Sequence, residues 1–271
     1  MKTVLVTGAT DGIGRETAHQ LLERGLRVLV HGRTLEKASR VVVELKRATP
    51  AAQVESVYAD LADMREVLGL AQKVRAKTPV LDVLINNAGV YAHTRVITSD
   101  GFELTMAVNH FAPFLLTHEL LYLLQGASQG RIITVSSIAH QSGRLDLDDL
   151  TFARRYDGYD AYAASKLANI LFTGALAKRL DGTSVTANSL RPGVISTKLL
   201  HKGFGFGGAP VQQGARTSVY LATSEEVNDI RGAYFEDCRR VNPSRMARDE
   251  RLAEALWEKS QELLAPRMRN I

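Results

Sequence analysis

Residues 2–14 read KTVLVTGATDGIG, and this stretch decides the fold. Its first half, Lys2 to Thr7, is a short apolar and β-branched run, which predicts a buried strand. Its second half places Gly8, Gly12 and Gly14 ahead of a helical pattern from Ile13 to Arg24 that stops before Gly25. Glycines between a strand and a helix let the backbone turn tightly and approach a pyrophosphate, and the free N–H groups of the helix face that phosphate. Such a trio elsewhere marks an ordinary turn. At the start of a βαβ unit it predicts dinucleotide binding by this loop, including Thr10, Asp11 and Ile13.

The same alternation continues along the chain. Strands are predicted at Leu26–His31, Gln53–Ala59, Leu81–Asn86, Arg131–Ser136, Ser184–Leu190 and Gly232–Phe235. Helices are predicted at Thr34–Ala48, Asp63–Lys77, Gly101–Gln125, Asp160–Leu180 and Arg248–Leu264. About seven strands alternating with helices imply an α/β fold, a doubly wound parallel sheet covered on both faces. No repeat or linker divides the chain, so residues 1–271 are expected to form a single domain. The least regular stretches are Ala139–Gly158 and Leu199–Pro210, and the glycine-rich segment at about 198–210 is expected to act as a substrate lid.

Composition narrows the function classes. The 271 residues are 45% hydrophobic and 23% charged, with a formal net charge of +5. That surplus is spread out; Arg154-Arg155 and Arg239-Arg240 are isolated pairs, so no nucleic-acid partner is expected. Cys238 is the only cysteine, so an internal disulfide and a thiolate zinc site are both excluded and no metal is expected. The chain opens directly on a strand, from which no signal peptide or membrane anchor is expected and a cytoplasmic setting follows.

The second strand ends His31-Gly32-Arg33. An NAD-selective site places an acid there for the ribose hydroxyls. Gly32 instead leaves room, and Arg33 offers a charged fork to a 2′-phosphate, which points to NADP(H). Arg15, one step past the glycine motif, is a second candidate base. Further on, Asn86-Asn87-Ala88-Gly89 closes the fourth strand, where small residues let backbone meet cofactor. The sharpest local signal is Ala161-Tyr162-Ala163-Ala164-Ser165-Lys166. Tyr162 and Lys166, four apart, share a helical face. A tyrosine of pKa near ~10 is a poor base at neutral pH, and an ammonium one turn away is expected to lower that pKa by about 2 to 3. Lys166 can also hold the nicotinamide ribose.

The spacing T-G-x-x-x-G-x-G, followed in order by NNAG, Asn109, Ser137, Tyr162/Lys166 and Arg191-Pro192-Gly193, resembles the short-chain dehydrogenase/reductase family. The resemblance covers nearly the full length. VNHFAPFLLT, VSSIAH, Asp148-Asp149-Leu150, YAASKLANILF and the tail YFEDCRR…ALWEKSQELL look most like the retinol dehydrogenase and WW-domain-oxidoreductase branch. It implies hydride transfer between NADP(H) and a small carbonyl or alcohol, with Asn109, Ser137, Tyr162 and Lys166 as the catalytic set. It also implies cofactor contacts at Asp60, Leu61, Asn87, Ala88, Gly89, Pro192, Gly193, Val194 and Thr197. Asp60 would hold the adenine edge, with helix N-cap as its plain alternative, and Thr197 would bond the carboxamide. Some NADP-dependent members carry a base where Asp11 stands.

The substrate wall is expected from Ser137, Tyr91, Leu199 and Phe204, with Val90, Leu200 and Phe206 adjoining, which suggests a hydrophobic substrate. The helices around Asn109 and Tyr162 offer faces on which a homo-oligomer could form. Two other readings are an NADP(H)-binding redox sensor without turnover, which would carry a broken catalytic set, and a protochlorophyllide-type reductase, which Cys238 alone does not favour.

Overall fold

The computed structural model describes residues 1–205 and 207–268. Eight strands form one sheet in the order β3-β2-β1-β4-β5-β6-β7-β8. They are β1 (Thr3–Val6), β2 (Arg27–Gly32), β3 (Val54–Tyr58), β4 (Val83–Asn86), β5 (Gly130–Val135), β6 (Val185–Leu190), β7 (Tyr234–Glu236) and β8 (Arg239–Val241). The first seven run parallel, and β8 returns antiparallel along β7. Helices α1 (Gly12–Glu23), α2 (Leu35–Ala48) and α3 (Met64–Lys77) link the first four strands. A turn of helix, α4 (Leu104–Met106), a π-helical segment Ala107–Phe111 and α5 (Ala112–Gln125) lead to β5. Then follow α6 (Gly158–Arg179), α7 (Lys198–Phe204), α8 (Val211–Thr223) and α9 (Glu250–Leu264).

Strand residues alternate between two apolar layers. Leu5 and Leu29 face α3, α5, α6 and α9, whereas Val4, Val6, Val28 and Val30 face α1, α2 and α8. Strands β1, β2, β4 and β5 are covered on both faces, which is why these runs read as largely apolar rather than alternating, whereas the edge strand β3 is only partly covered, with Tyr58 exposed. Two arginines tie elements together within the layers. Arg131 donates to the Leu221 and Ser224 carbonyls at 2.7 and 2.8 Å, closing the last turn of α8. Arg75 of α3 pairs with Glu119 of α5 at 2.6 Å.

Four elements differ from the sequence expectation, the first being α7, a helix at the start of the stretch 199–210 that was expected to be irregular. The eighth strand is short and charged, and it pairs through a two-residue turn in which Asp237 and Cys238 both have positive φ, +46° and +60°. Tight hairpins demand that geometry, but glycine and asparagine are its usual signals. The helix α8 was not expected at all. Its buried face is Gly214, Ala215, Thr217, Ser218, Val219, Leu221 and Ala222, in which Val219 and Leu221 are the only large apolar side chains. Finally, the long helix expected at 101–125 is interrupted. Pro113 has no N–H for the Asn109 carbonyl four residues back, and the chain changes to π geometry over Ala107–Phe111. Among the described residues, no helix is long and apolar enough to cross a membrane.

Candidate active site

The strand order reverses beside β1, and a cleft of about 810 Å³ opens there at the carboxyl ends of the strands. The glycine loop forms its floor. Gly8 has φ +63°, and a Cβ on it would fall 2.8 Å from the Ala88 Cα. A Cβ on Gly14 would fall 2.4 Å from the Gly8 carbonyl oxygen. Neither position admits a side chain, so the turn can close this tightly only with glycine, and Thr10, Asp11 and Ile13 of the same loop join it on the cleft lining. Asn87 ties the loop to β4: its N–H donates to the Thr7 hydroxyl at 3.0 Å and its amide to the Thr7 carbonyl at 2.8 Å.

His31 was missed by the sequence reading. The Gly8 N–H donates to its Nδ1 at 3.1 Å, so its proton sits on Nε2, which donates to the Ala59 carbonyl at 3.1 Å. The ring thus ties the glycine loop to the end of β3. Burial pushes its pKa down to about 4, and it stays neutral. A histidine inside a strand carries no pattern that signals this. Asp11 caps α1 by accepting from the Gly12 N–H at 2.9 Å, and it pairs with Lys198 of α7 at 2.7 Å. The glycine loop and the segment expected to be a lid are therefore in direct contact.

At the far end of the cleft lie Arg33 and Lys37, both on its lining. Lys37, in the first turn of α2, was not singled out from sequence. Two expectations need correction here. Gly32 does not leave room for a ligand: a Cβ there would fall 2.6 Å from the Thr10 Cγ2, so the glycine makes space for the loop. Arg15 pairs with Glu44 at 2.9 Å and is not on this lining. Asp60 and Leu61 line the cleft, but the cap of α3 is Asp63, which accepts from Arg65 N–H at 2.8 Å. Asp60 accepts from Ala62 N–H at 3.0 Å in the preceding turn.

The four residues expected to be catalytic converge at the other end. Ser137 stands at the end of β5, and its hydroxyl hydrogen-bonds that of Tyr162. Lys166, one turn along α6, donates to the Val135 carbonyl at 3.1 Å and lies 5.6 Å from the centre of the Tyr162 ring. Asn109 accepts from the Val90 N–H at 2.8 Å and donates to the Val90 carbonyl at 3.0 Å. Its amide also donates to Ser165 at 2.9 Å, and Ser165 donates to the Tyr162 carbonyl at 2.7 Å. Ser136 is not turned to the cleft chemistry; it donates to the Lys166 carbonyl at 2.6 Å and locks α6 to β5.

The electrostatics correct one expectation. Burial pushes the Tyr162 hydroxyl up to about 12, and the Ser137 hydrogen bond offsets this only in part. Burial likewise pushes Lys166 down to about 8. Taking either group out of water disfavours its charged form, and burial is the largest cause of both shifts. At neutral pH Tyr162 is therefore a neutral phenol that carries the proton a reduction needs, although burial makes it a weaker acid than a free tyrosine.

Ala88, Gly89, Val90, Pro192, Gly193, Val194 and Thr197 complete the lining beside Tyr162 and Lys166. Thr197 is engaged as the cap of α7, accepting from Leu200 N–H at 3.2 Å. Tyr91, expected on the substrate wall, is not on the cleft lining; its ring lies 5.8 Å from that of Tyr162, centre to centre, and it packs with Leu199 against Tyr162 and Ala163. Leu104, Val108 and Leu200 add apolar lining, and Ile138, Tyr159 and Val194 stand exposed at the rim. Phe206 lies outside the described residues, as does the Phe204 side chain.

The tight glycine loop at the start of α1 and the buried Lys166 ammonium on the same lining suit a nicotinamide dinucleotide. Comparison with known proteins agrees. Residues 2–204 match the family model described as short chain dehydrogenase. Retinol dehydrogenase 12 of Mus musculus is 41% identical over 272 residues, covering 97% of this chain and 86% of that protein. A crystal structure of an uncharacterized protein from Mycobacterium Paratuberculosis shares 35% identity at a TM-score of 0.82, over 98% of this chain and 94% of that one. A short chain dehydrogenase from Escherichia coli CFT073, complexed with NADPH, shares 26% identity at a TM-score of 0.73, over 88% and 97% of the two chains. With the cleft at the strand ends and the Tyr-x-x-x-Lys pair inside it, the chain belongs to the short chain dehydrogenase family, on its retinol dehydrogenase-like branch.

Proposed function

We propose that this oxidoreductase uses NADP(H) to reduce an apolar carbonyl compound, or to oxidise the corresponding alcohol, with Tyr162 as its acid–base residue. The observation that carries the reading is the placement of Tyr162, beside Ser137 and one helical turn from Lys166, on the wall of the cleft that the glycine loop floors. The cofactor, when bound, supplies the hydride chemistry. The glycine loop and the first turn of α1 would hold its pyrophosphate, with Arg33 and Lys37 on a 2′-phosphate. Lys166 would hold the nicotinamide ribose.

Ser137 and Tyr162 orient the substrate oxygen with two O–H groups, so developing negative charge on it is stabilised as it forms. Tyr162 then donates its proton to that oxygen. Lys166 supplies the charge that limits the cost of the transient phenolate. Asn109 keeps the π segment bonded to Val90 and, through Ser165, to the backbone of Tyr162. Leu104, Val108, Leu199, and the rim residues Ile138, Tyr159 and Val194 favour a hydrophobic substrate.

The relatives named retinol dehydrogenases place retinoid aldehydes and alcohols in the panel that tests this reading, beside simpler aldehydes, ketones and quinones. Each is assayed with NADPH and NADH in parallel. The expected result is turnover of apolar carbonyls with a preference for NADPH, lost by at least about 100-fold in Tyr162→Phe with cofactor binding retained. Full activity in that variant ends the assignment.

A further inference from the structure

Two buried histidines sit next to the catalytic set and lead away from it to the C-terminal part of the chain. His140 lies three residues after Ser137, in the 3₁₀ turn Ile138–Gln141. Its Nε2 accepts the Ser244 N–H at 3.1 Å. A backbone N–H only donates, so the ring proton is on Nδ1, and it is given to the Ser137 carbonyl at 2.7 Å. His110 directly follows Asn109 in the π segment, and its Nε2 lies 2.8 Å from the Ser260 hydroxyl. Ser260 spends its own proton on the Leu256 carbonyl at 2.7 Å, so the ring proton is on Nε2 and Ser260 accepts it.

The two rings are opposite tautomers, each fixed by a serine more than a hundred residues away. Phe111, Phe114 and Phe172 surround His110, and Trp257 of α9 stacks on Phe172 at 5.9 Å between centres. Burial holds both rings below the ordinary histidine range, to about 3 for His110. The serines belong to residues 244–260, beyond the stretch that the family model matches.

We propose that the C-terminal segment 244–260 is a working part of the active site: through His140 and His110 it fixes the backbone that carries Ser137 and Asn109. The two histidines and Ser260 are positioning residues for the hydride-transfer reaction proposed above, on which this inference rests. The need for such props is local. A four-residue 3₁₀ turn has little stability of its own. Ser137 caps it by accepting from the Ala139 N–H at 3.3 Å, so any drift of the turn moves the hydroxyl that meets Tyr162. The π segment is likewise an interrupted helix whose register nothing intrinsic enforces. A displacement of about 1 Å at such a site can cost on the order of 100-fold in rate.

The experiment uses the full chain and three variants, His140→Phe, His140→Asn and Ser260→Ala. Phe keeps the ring volume and loses both hydrogen bonds. Asn places an amide N–H where Nδ1–H stands and keeps the bond to the Ser137 carbonyl. Carbonyl reduction with NADPH gives kcat and KM, NADPH fluorescence gives cofactor affinity, and amide hydrogen exchange reads the backbone peptide by peptide. In His140→Phe, kcat is expected to fall at least about 10-fold with KM and cofactor affinity within about threefold, and in His140→Asn most of that loss is recovered. Exchange is expected to accelerate about 10-fold in peptides covering 136–143 for His140→Phe and 107–112 for Ser260→Ala, with β1 to β4 unchanged.

Wild-type kcat and exchange in the two disruptive variants overturn the proposal. So does an equal loss across the whole chain in all three, which is a stability effect and nothing more. If the wild-type protein reduces none of the carbonyls, the proposed function fails, and the exchange data then decide the inference alone: local acceleration upholds the prop, unchanged exchange refutes it.

Discussion

The ammonium of Lys166 donates to the Val135 carbonyl at 3.1 Å while lying 5.6 Å from the centre of the Tyr162 ring. The lysine is therefore anchored to β5 and presents its charge to the tyrosine from a fixed point. Lys166 titrates near 8 and Tyr162 near 12, so at neutral pH the pair is ammonium and phenol. Carbonyl reduction is expected to be flat in rate up to about pH 8 and to fall tenfold per pH unit above it, as Lys166 loses its proton. A pH–rate profile that stays level to pH 10 contradicts this.

Cofactor preference is expected to reside in two cations. Arg33 and Lys37 line the same end of the cleft, and no acid stands beside them at the end of β2. Arg33→Ala is expected to raise the KM for NADPH about 10-fold, near 1.4 kcal/mol, and to leave NADH within about twofold. Lys37→Ala has the same sign and a smaller size, because a single ammonium makes no bidentate contact. Equal losses with both cofactors would show that neither residue reads the 2′-phosphate.

The ion pair between Asp11 and Lys198 is exposed, with 55% and 77% of the two side chains open to solvent. Exposed pairs contribute about 0–1 kcal/mol and are screened by salt. Lys198→Ala is expected to lower the melting temperature by at most about 2 °C, a difference that vanishes in 1 M salt. Asp11→Ala also removes the cap of α1 and is expected to cost about 1 kcal/mol more. Thermal melts of the two variants at low and high salt separate the contributions.

The space at Gly32 gives a test by compensation. A methyl group there meets the Thr10 Cγ2 at 2.6 Å and presses on the glycine loop. Gly32→Ala is expected to weaken NADPH binding about 10-fold. Adding Thr10→Ser removes the opposing methyl, and most of the loss should return. If the double variant is no better than the single, the contact is not what makes glycine necessary.

Acid is expected to destabilise the fold in a defined window. His31 and His110 titrate near 4 and near 3 in the folded chain, against an ordinary 6.5. Below 6.5 the unfolded chain takes up protons that the folded chain refuses, so stability falls as pH falls. The His31 share is lost by about pH 4, and the His110 share continues toward 3. Each is worth roughly 3 kcal/mol or more over its full span. The urea midpoint should drop between pH 6.5 and 4, and less so in His110→Phe. A constant midpoint would mean that neither ring is shielded.

The chain's own sequence determined the parts whose physics is local. KTVLVTGATDGIG had to be strand, tight loop and helix, because its periodicity changes at glycines that leave no alternative conformation nearby. Tyr162 and Lys166 were paired by helical spacing alone, and the doubly wound parallel sheet followed from the alternation of strands and helices. What tertiary structure decided was whatever depends on contacts between distant residues. The small-residue face of α8 carries too little apolar signal to be read alone, and the charged β8 is a strand only because β7 offers it an edge. His31, His110 and His140 look like any histidines until residues 28, 150 and 104 positions away close on their rings. The acid–base state of Tyr162 belongs to the same class. Spacing puts a cation beside it, but the sign of its pKa shift is set by how much water the folded protein removes, and that is a property of the assembled cleft.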